Sequence, residues 1–295
     1  MRLKANSNIR GHMALLVVAI IWGISFVNTK VVLSELPPIT AATIRFFIAN
    51  CIMWPIFRRQ QPTFRMTKEI FGPAFWSGAV GVTVYFLFEN IGLKYTTASA
   101  ASLIIASIPA ITLLEQRIRG VRLPVRQWAG ALVSIVGVGL VVGYGQSHLL
   151  GNVLMVGACL CWVAFNHISP RLMDKCSSFA ASTLQNTFGF ACLLPLSLLE
   201  IREWAWPSLN VWLHLLFLAA ACSVAGYFLY NYGLRHTGRV TATVYLNLMP
   251  LVGAVGGMLV LGERFGLWQI LGGVLLVGSV AVATMPGRER NGGGT

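Results

Sequence analysis

Residues 127–170 read QWAGALVSIVGVGLVVGYGQSHLLGNVLMVGACLCWVAFNHISP, without one Lys, Arg, Asp or Glu. A helix needs about 20 mostly apolar residues to cross roughly 30 Å of hydrocarbon, so this stretch is long enough for two crossings. The sequence Gly145-Gln-Ser-His148 in its middle is typical of a turn. We therefore predict two membrane-spanning helices here, at about residues 125–145 and 150–170.

The rest of the chain has the same apolar character. Hydrophobic residues make up 56% of the 295 positions and charged residues only 11%, whereas soluble domains carry roughly 25% charged residues. Lipid offers no partner for an unpaired backbone group, so each crossing has to be a helix. The uncharged runs predict an all-α membrane protein with ten spans, at about residues 13–33, 38–57, 70–92, 97–116, 125–145, 150–170, 178–199, 210–233, 240–261 and 266–285.

The net charge of +13 follows an alternating pattern along the chain. Lys and Arg cluster before the first span and after the second, fourth, sixth, eighth and tenth. Because positive loops stay in the cytoplasm, both termini are predicted to be cytoplasmic. The even number of spans independently requires both ends to lie on one side. A basic surface for nucleic acid is the weaker interpretation, so no nucleic-acid partner is expected.

Residues with catalytic or metal-binding chemistry are sparse. The six cysteines show no metal-ligand spacing, and the only aspartate, Asp174, falls in a loop. No phosphate-binding Gly-rich motif for ATP is present. We expect no metal, no cofactor and no catalytic residues, which leaves a membrane-embedded enzyme as an unfavoured alternative. A sensory or scaffold protein is equally unfavoured, because the interior loops are too short for a soluble domain.

An internal repeat relates the two halves of the chain. Offsets of 140 to 142 residues match one half to the other, which indicates a duplication of five spans, with units at residues 1–147 and 148–295. The matched pairs include Trp22 with Trp162, Gly11 with Gly151, Asn90-Ile-Gly92 with Asn231-Tyr-Gly233, Pro109 with Pro250 and Gly120 with Gly262. Since five is odd, the second half begins on the opposite side, and the halves are predicted to be inverted. Many secondary transporters have this arrangement, with the substrate site between the halves.

Several motifs follow one another along residues 13–285. They are Trp22-Gly23, Arg45-Phe-Phe-Ile-Ala49, Gly92-Leu-Lys-Tyr-Thr-Thr-Ala-Ser-Ala-Ala-Ser leading to Pro109, and Gly233-Leu-Arg-His-Thr237 leading to Pro250 and Leu261-Gly-Glu-Arg264. In this order they resemble the motifs of EamA-type transporters in the drug/metabolite transporter superfamily. One departure is that Gly262-Glu263 corresponds to Gly120-Val121 in the first half. The resemblance implies a ten-helix secondary transporter whose central cavity is lined by helices 1, 3, 4, 6, 8 and 9.

Aromatic and small polar residues on those six helices are the candidates for lining a substrate cavity. They are Trp22, Ser25, Tyr85, Glu89, Ser99, Ser102, Trp162, Asn166, Tyr227, Tyr230, Asn231, Tyr245 and Asn247. Such groups suit a small amphipathic metabolite, and no Arg or Lys is evident in the cavity for a phosphate. The alternative is structural, because Trp and Tyr are common at membrane interfaces and Ser, Thr and Asn often join membrane helices.

Two ionisable residues fall inside the predicted spans, where they are costly and often functional. Arg45 is predicted to be a structural charge that reaches the external interface or bonds another helix. Glu89 is a candidate for proton coupling, since burial favours a protonated carboxyl. Its alternative is an ion pair with Lys94 or Arg45.

Together these observations predict a multi-pass permease of the cytoplasmic membrane that exports small metabolites by alternating access. Amino acids or related compounds are the first substrate class, and lipophilic drugs or cations are the alternative. The expected partners are this small molecule and the lipid bilayer. Faces such as Gly139 with Gly143 and Gly253 with Gly257 allow close packing of helices, either within the bundle or between two copies of the chain.

Overall fold

The computed structural model describes residues 2–121, 148–264 and 266–284, with scattered positions between 122 and 147. All regular secondary structure in these residues is helical. The helices are α1 (Arg2–Val32), α2 (Pro38–Gln60), α3 (Lys68–Tyr95), α4 (Ala98–Ile118), α5 (Leu149–Met173), α6 (Ser178–Glu203), α7 (Leu209–Thr237), α8 (Arg239–Leu261) and α9 (Leu267–Thr284). Of these, the eight helices α1 to α8 are long and apolar enough to cross a membrane.

The described helices coincide with nine of the ten predicted spans. Most of the predicted fifth span, residues 125–145, lies outside the described residues, as does the face formed by Gly139 and Gly143. The helix ends extend past the apolar cores used for prediction, because α1 begins at Arg2 and α3 at Lys68.

Helix starts follow from the local sequence. The side chains of Thr97, Ser177 and Ser208 accept hydrogen bonds from the first turns of α4, α6 and α7, which satisfies donors that the helix leaves unpaired. Pro38 stands at the start of α2, where a missing N–H costs nothing.

The third helix of each half contains a wider turn. Residues Ala79–Val84 of α3 and Leu218–Gly226 of α7 are π-helical, in continuous helices. Such segments are rare and frequently occur at functional sites. The two are about 140 positions apart, as the repeat requires, although the sequence pattern did not predict them.

The fourth helix of each half is interrupted instead. In α4 the helix breaks at Ala106 and Ser107, ahead of Pro109, and in α8 a 3-10 segment, Leu246–Leu248, precedes Pro250. Proline lacks the N–H of the helical ladder, and its ring clashes with the carbonyl four residues earlier. Both breaks lie deep in the bundle, where they shape its centre.

Contacts between helices repeat in the same manner. The helix α1 packs on α7 and α8, while α5 packs on α3 and α4. Gly151 lies so close to α3 that an added Cβ would stand 2.7 Å from the carbonyl oxygen of Gly92. Its repeat counterpart Gly11 faces α7, with an added Cβ 3.0 Å from the Cβ of His236. Small residues therefore allow equivalent helix pairs to touch in both halves.

Candidate substrate site

A cluster of aromatic rings occupies the centre of the bundle. The ring centroids of Trp22 and Trp162 are 5.1 Å apart, with their planes at 88°. Tyr227 and Tyr230 of α7 contact both indoles, at centroid distances of 5.2–5.8 Å. Tyr85 of α3 adds a further contact to Trp162, at 5.2 Å. These residues come from both halves of the chain, so the cluster lies on the seam between them.

The π turns accept hydrogen bonds from two rings of this cluster. Tyr227 donates its hydroxyl hydrogen to the carbonyl oxygen of Gly81 in α3, at 2.8 Å. Trp22 donates its Nε1–H to the carbonyl oxygen of Cys222 in α7, at 3.1 Å. Gly81 and Cys222 are repeat equivalents, 141 positions apart. Each half thus donates an aromatic hydrogen bond to the π turn of the other.

A small cavity of about 30 Å³ lies beside the aromatic rings. Its lining consists of Trp22, Ser25, Arg45, Tyr85, Phe86, Glu89, Ile105, Ile108, Trp162, Tyr227, Leu246 and Met249. Pockets for drug-sized ligands measure roughly 300–1,000 Å³, whereas this volume admits only one or two water molecules. The conformation is therefore closed around the cavity.

The apolar part of the lining comes from the helix breaks. Ile105 and Ile108 flank the break in α4, and their repeat equivalents Leu246 and Met249 flank the break in α8. The two prolines thus explain why four aliphatic side chains from equivalent positions meet at one cavity.

The charged part of the lining comes from the first half alone. Arg45 of α2 and Glu89 of α3 are only 5% and 6% exposed. The Arg45 Nε–H donates to Ser223 of α7 at 2.8 Å, and the guanidinium carbon lies 4.6 Å from the Phe86 ring centroid. Glu89 accepts a hydrogen bond from the Tyr85 hydroxyl at 3.1 Å. One cation and one anion therefore face the same small space.

Of the two alternatives expected for Arg45, the structure shows the bond to another helix, because Ser223 of α7 and Phe86 hold its guanidinium inside the bundle. Arg45 also places a basic side chain in the cavity, so the expectation that the cavity holds none was wrong. Glu89 makes no ion pair within 4 Å with Lys94 or Arg45 among the described residues. It accepts a hydrogen bond from Tyr85, one helical turn away.

The candidate lining residues separate into two groups in this conformation. Those that line the cavity are Trp22, Ser25, Tyr85, Glu89, Trp162 and Tyr227. Those that lie outside the lining are Ser99, Ser102, Asn166, Tyr230, Asn231, Tyr245 and Asn247.

Most of this second group is engaged in hydrogen bonds between helices. The Tyr230 hydroxyl accepts a hydrogen bond from the Trp162 indole N–H and donates one to Asn166. Tyr230 and Asn166 therefore lie behind the Trp162 indole. Asn231 bonds Ser169, Ser182 and Gln185.

The remaining members belong to α4 and α8. The Ser99 hydroxyl donates a hydrogen bond to Glu263, and the Ser102 hydroxyl donates one to the backbone carbonyl of Ser99. The Tyr245 hydroxyl is hydrogen-bonded to the His12 ring. Asn247 is buried in the 3-10 segment of α8, away from the lining.

The lining residues that sequence reasoning missed are Arg45, Phe86, Ile105, Ile108, Leu246 and Met249. A polar-face criterion cannot find the aliphatic ones. A usable signal was nevertheless present, because the repeated prolines at 109 and 250 mark the positions where α4 and α8 break.

Three carboxylates link the halves at the predicted external end of the bundle. Glu35 accepts from the backbone N–H and hydroxyl of Ser208, both at 2.7 Å. Glu200 accepts from the N-terminus of α2 at Ile39 and Thr40. Glu263 does the same at the N-terminus of α4, with Ala98 and Ser99. Each carboxylate caps a helix of the opposite half, where the helix dipole favours a negative charge.

The opposite end of the bundle carries a basic cluster around one carboxylate. Glu115 of α4 lies 3.5 Å from His167 of α5 and 3.7 Å from Arg239 of α8, and it also contacts Arg119. This cluster joins the end of α4 to the second half, so the bundle is tied across the seam at both ends.

Comparison with known proteins identifies the family of this chain. The model of the EamA-like transporter family matches residues 9–143 and matches again over residues 149–285. An uncharacterized transporter of Archaeoglobus fulgidus is 27% identical, over 94% of this chain and 98% of its own length. A probable amino-acid metabolite efflux pump of Salmonella typhimurium is also 27% identical, over 95% and 96%. A solved crystal structure, 19% identical, superposes with a TM-score of 0.67 over 95% of this chain and supports the fold alone.

Proposed function

Because this chain belongs to the EamA-like transporter family and is a multi-pass integral membrane protein rather than an enzyme, we propose that it exports small metabolites across the cytoplasmic membrane, with amino acids or related compounds as substrates. The observation that carries the proposal is the closed cavity on the seam between the halves, which combines aromatic walls with one cation and one anion. The relatives named as probable amino-acid metabolite efflux pumps in Salmonella typhimurium and Escherichia coli support the substrate class.

The proposed topology has ten helices in two inverted halves, with both termini in the cytoplasm. The loop charges support the orientation. The matched π turns and matched helix breaks support the duplication. Reporter fusions after residues 62, 120, 206 and 295 test the arrangement. A cytoplasmic reporter signal is expected at all except 206, and a cytoplasmic signal at 206 would overturn the inversion.

The proposed mechanism is alternating access at the seam. In the closed conformation the carboxylate links hold the predicted external end, and the Glu115 cluster holds the other. Opening at one end requires one set of contacts to separate while the other persists. A substrate bound beside Trp22 and Trp162 then meets each side of the membrane in turn.

Glu89 is the proposed coupling group. It is the one carboxylate of the described residues that lines the cavity, and it has a single hydrogen-bond donor, Tyr85, in the closed conformation. A carboxyl in this position can carry a proton into the cell and release it before substrate binds. Export would then be driven by proton entry.

Counterflow with purified protein in liposomes tests the proposed function. Vesicles loaded with unlabelled compound are expected to accumulate labelled compound for at least one member of a panel of neutral amino acids. The matched negative control is the Trp22→Ala, Trp162→Ala double variant. If wild-type protein exchanges lipophilic cations and no amino acid, the substrate class is wrong, and if it exchanges nothing across a broad metabolite panel, the exporter assignment fails.

A further inference from the structure

Arg45 and Glu89 lie on two neighbouring helices of the first half, and both line the central cavity. Their side chains face the same cavity, yet no ion pair joins them within 4 Å. A buried charge without a close partner is costly, and one that persists within a membrane span is a functional candidate. The two side chains therefore leave a gap between a cation and an anion inside the cavity.

Both groups keep unused hydrogen-bonding capacity beside the cavity that they line. Among the described residues, the Arg45 guanidinium uses only its Nε–H, toward Ser223, and its terminal Nη groups make no hydrogen bond. The Glu89 carboxylate uses only Oε1, toward Tyr85. The fork of N–H groups on an arginine matches a carboxylate in two parallel bonds. The free oxygen of a glutamate accepts equally well from an ammonium.

Among the described residues, the second half supplies no charged side chain to the lining. The repeat equivalent of Arg45 is Gln185 and that of Glu89 is Tyr230, both uncharged and both engaged in bonds between helices. The cavity is thus polarised, with charged groups from the first half and an aromatic and aliphatic wall shared by both. A ligand with a charged head and an apolar tail has one preferred orientation in such a space.

We propose that Arg45 and Glu89 form the recognition site for a zwitterion, with Arg45 binding the carboxylate of an α-amino acid and Glu89 binding its ammonium. The apolar side chain then lies against Trp22, Trp162 and the aliphatic residues of the helix breaks. A zwitterion brings one charge of each sign and no net charge into the membrane, so each buried charge of the protein gains a partner of opposite sign. This inference rests on the proposed function and names the two contacts that select the substrate.

Binding to the purified full-length protein, measured by isothermal titration calorimetry, tests the two contacts separately. The probes are leucine, isoamylamine, which lacks the carboxylate, and N-acetylleucine, which lacks the ammonium. Wild-type protein is expected to bind leucine at least about tenfold more tightly than either analogue, since each analogue leaves a buried charge unpaired. If leucine does not move in counterflow, the neutral amino acid that moves best and its two analogues replace it.

Each variant is expected to lose the discrimination that its charge provides. Arg45→Gln is expected to weaken binding of the amino acid about tenfold or more while leaving binding of the amine unchanged. Glu89→Gln is expected to weaken binding of the amino acid while leaving binding of the N-acetyl form unchanged. Arg59→Gln on α2 and Glu69→Gln on α3 are the matched controls, because both side chains are exposed on the same helices.

The outcomes distinguish this inference from the proposed function. The zwitterion site is overturned if wild-type protein exchanges amino acids but binds both analogues as tightly as leucine. It is also overturned if Arg45→Gln weakens binding of the amino acid and of the amine equally. In either case the proposed export function is not contradicted. If no amino acid is exchanged at all, the proposed function fails, and this inference fails with it. Should Arg45→Gln not fold, the ranking of the three probes by wild-type protein still decides the question.

Discussion

Tyr227 in the second half donates its hydroxyl hydrogen to the carbonyl oxygen of Gly81 in the first half, at 2.8 Å, inside a π turn of α3. The equivalent carbonyl, at Cys222, accepts from Trp22. Each π turn thus supplies a carbonyl acceptor for an aromatic side chain of the opposite half.

We predict that Tyr227→Phe keeps the ring contacts but loses this bond, which leaves a buried carbonyl less well satisfied. The free energy of unfolding in detergent should fall by about 1–2 kcal/mol, and counterflow should slow. Tyr232→Phe on the same helix is the control, because its hydroxyl makes no hydrogen bond among the described residues. Equal thermal midpoints for the two variants would show that the Gly81 contact contributes nothing.

Removal of both indoles should abolish transport. In the Trp22→Ala, Trp162→Ala variant the central cluster loses its two largest rings, and with them the wall of the cavity. Counterflow is expected to fall to the level of empty liposomes. Trp206→Ala, which removes an exposed indole from a loop, is expected to retain activity. If the double variant transports like wild type, the substrate does not pass this cluster.

The sequence predicted well where helices form, because apolar runs alone decide this. Nine of the predicted spans have a matching helix in the described part of the chain, and Trp22 and Trp162, which the offset of 140 residues pairs, are in contact. The π turns and the contents of the cavity were not predictable from the pattern. Hydrophobic periodicity does not distinguish a π turn from an α turn, and a polar-face criterion overlooks aliphatic lining residues such as Ile105 and Met249. The place of Arg45 in the cavity was not predicted either, because its depth also allowed snorkelling, whereas Ser223, 178 positions away, holds its guanidinium.

Close helix contacts at glycine predict a graded set of substitutions. Gly151→Ala places a Cβ 2.7 Å from one backbone atom of α3 and 2.8 Å from another, and backbone cannot easily yield. Gly11→Ala meets side-chain atoms at 3.0–3.1 Å and should be milder. We expect thermal midpoints in the order wild type, Gly11→Ala, Gly151→Ala, with a cost of roughly 1–3 kcal/mol for the last. Gly72→Ala, with open space around it, is the control, and a loss there as large as at Gly151 would contradict the packing explanation.

Of the neighbouring residues Glu200 and Glu203, only Glu200 caps a helix, so only its replacement is predicted to lower stability. Glu200→Ala removes the acceptor for two backbone N–H groups and the Thr40 hydroxyl, and loss of such a cap costs about 0.5–2 kcal/mol. Glu203, three residues away, is exposed, and Glu203→Ala removes no side-chain hydrogen bond within the described part of the chain. Thermal unfolding in detergent should separate the two variants, and identical midpoints would argue against a cap.

A pH dependence follows from the cap at Glu35. Its hydrogen bonds from the Ser208 backbone N–H and hydroxyl hold the pKa of this carboxyl below its ordinary value of 4.5. A carboxyl whose pKa is lowered by folding stabilises the protein above the unfolded pKa, and that contribution is lost as pH falls through the folded pKa. The difference in thermal midpoint between wild type and Glu35→Gln should therefore be present at pH 7 and shrink below about pH 4.5. A difference that stays constant down to pH 3 would contradict the linkage.

The coupling hypothesis gives the sharpest prediction for transport. The titratable or charged groups near Glu89 are Arg45 of α2, Tyr85 of α3, Cys159 of α5, and Cys222 and Tyr227 of α7. Glu89 is the only carboxyl among these groups, so it is the group that we propose exchanges a proton. If a proton and the substrate ammonium compete for its carboxylate, an acidic liposome interior should drive uptake of amino acid.

With the membrane potential clamped, a one-proton exchange accumulates substrate up to about tenfold per pH unit. Glu89→Gln has no proton to exchange and should lose this response, while keeping whatever gradient-independent counterflow the weakened ammonium contact allows. Glu69→Gln should respond as wild type does. If wild type also ignores the gradient, the transporter is uncoupled, and Glu89 serves recognition alone. A response that survives in Glu89→Gln would place the coupling group elsewhere in the chain.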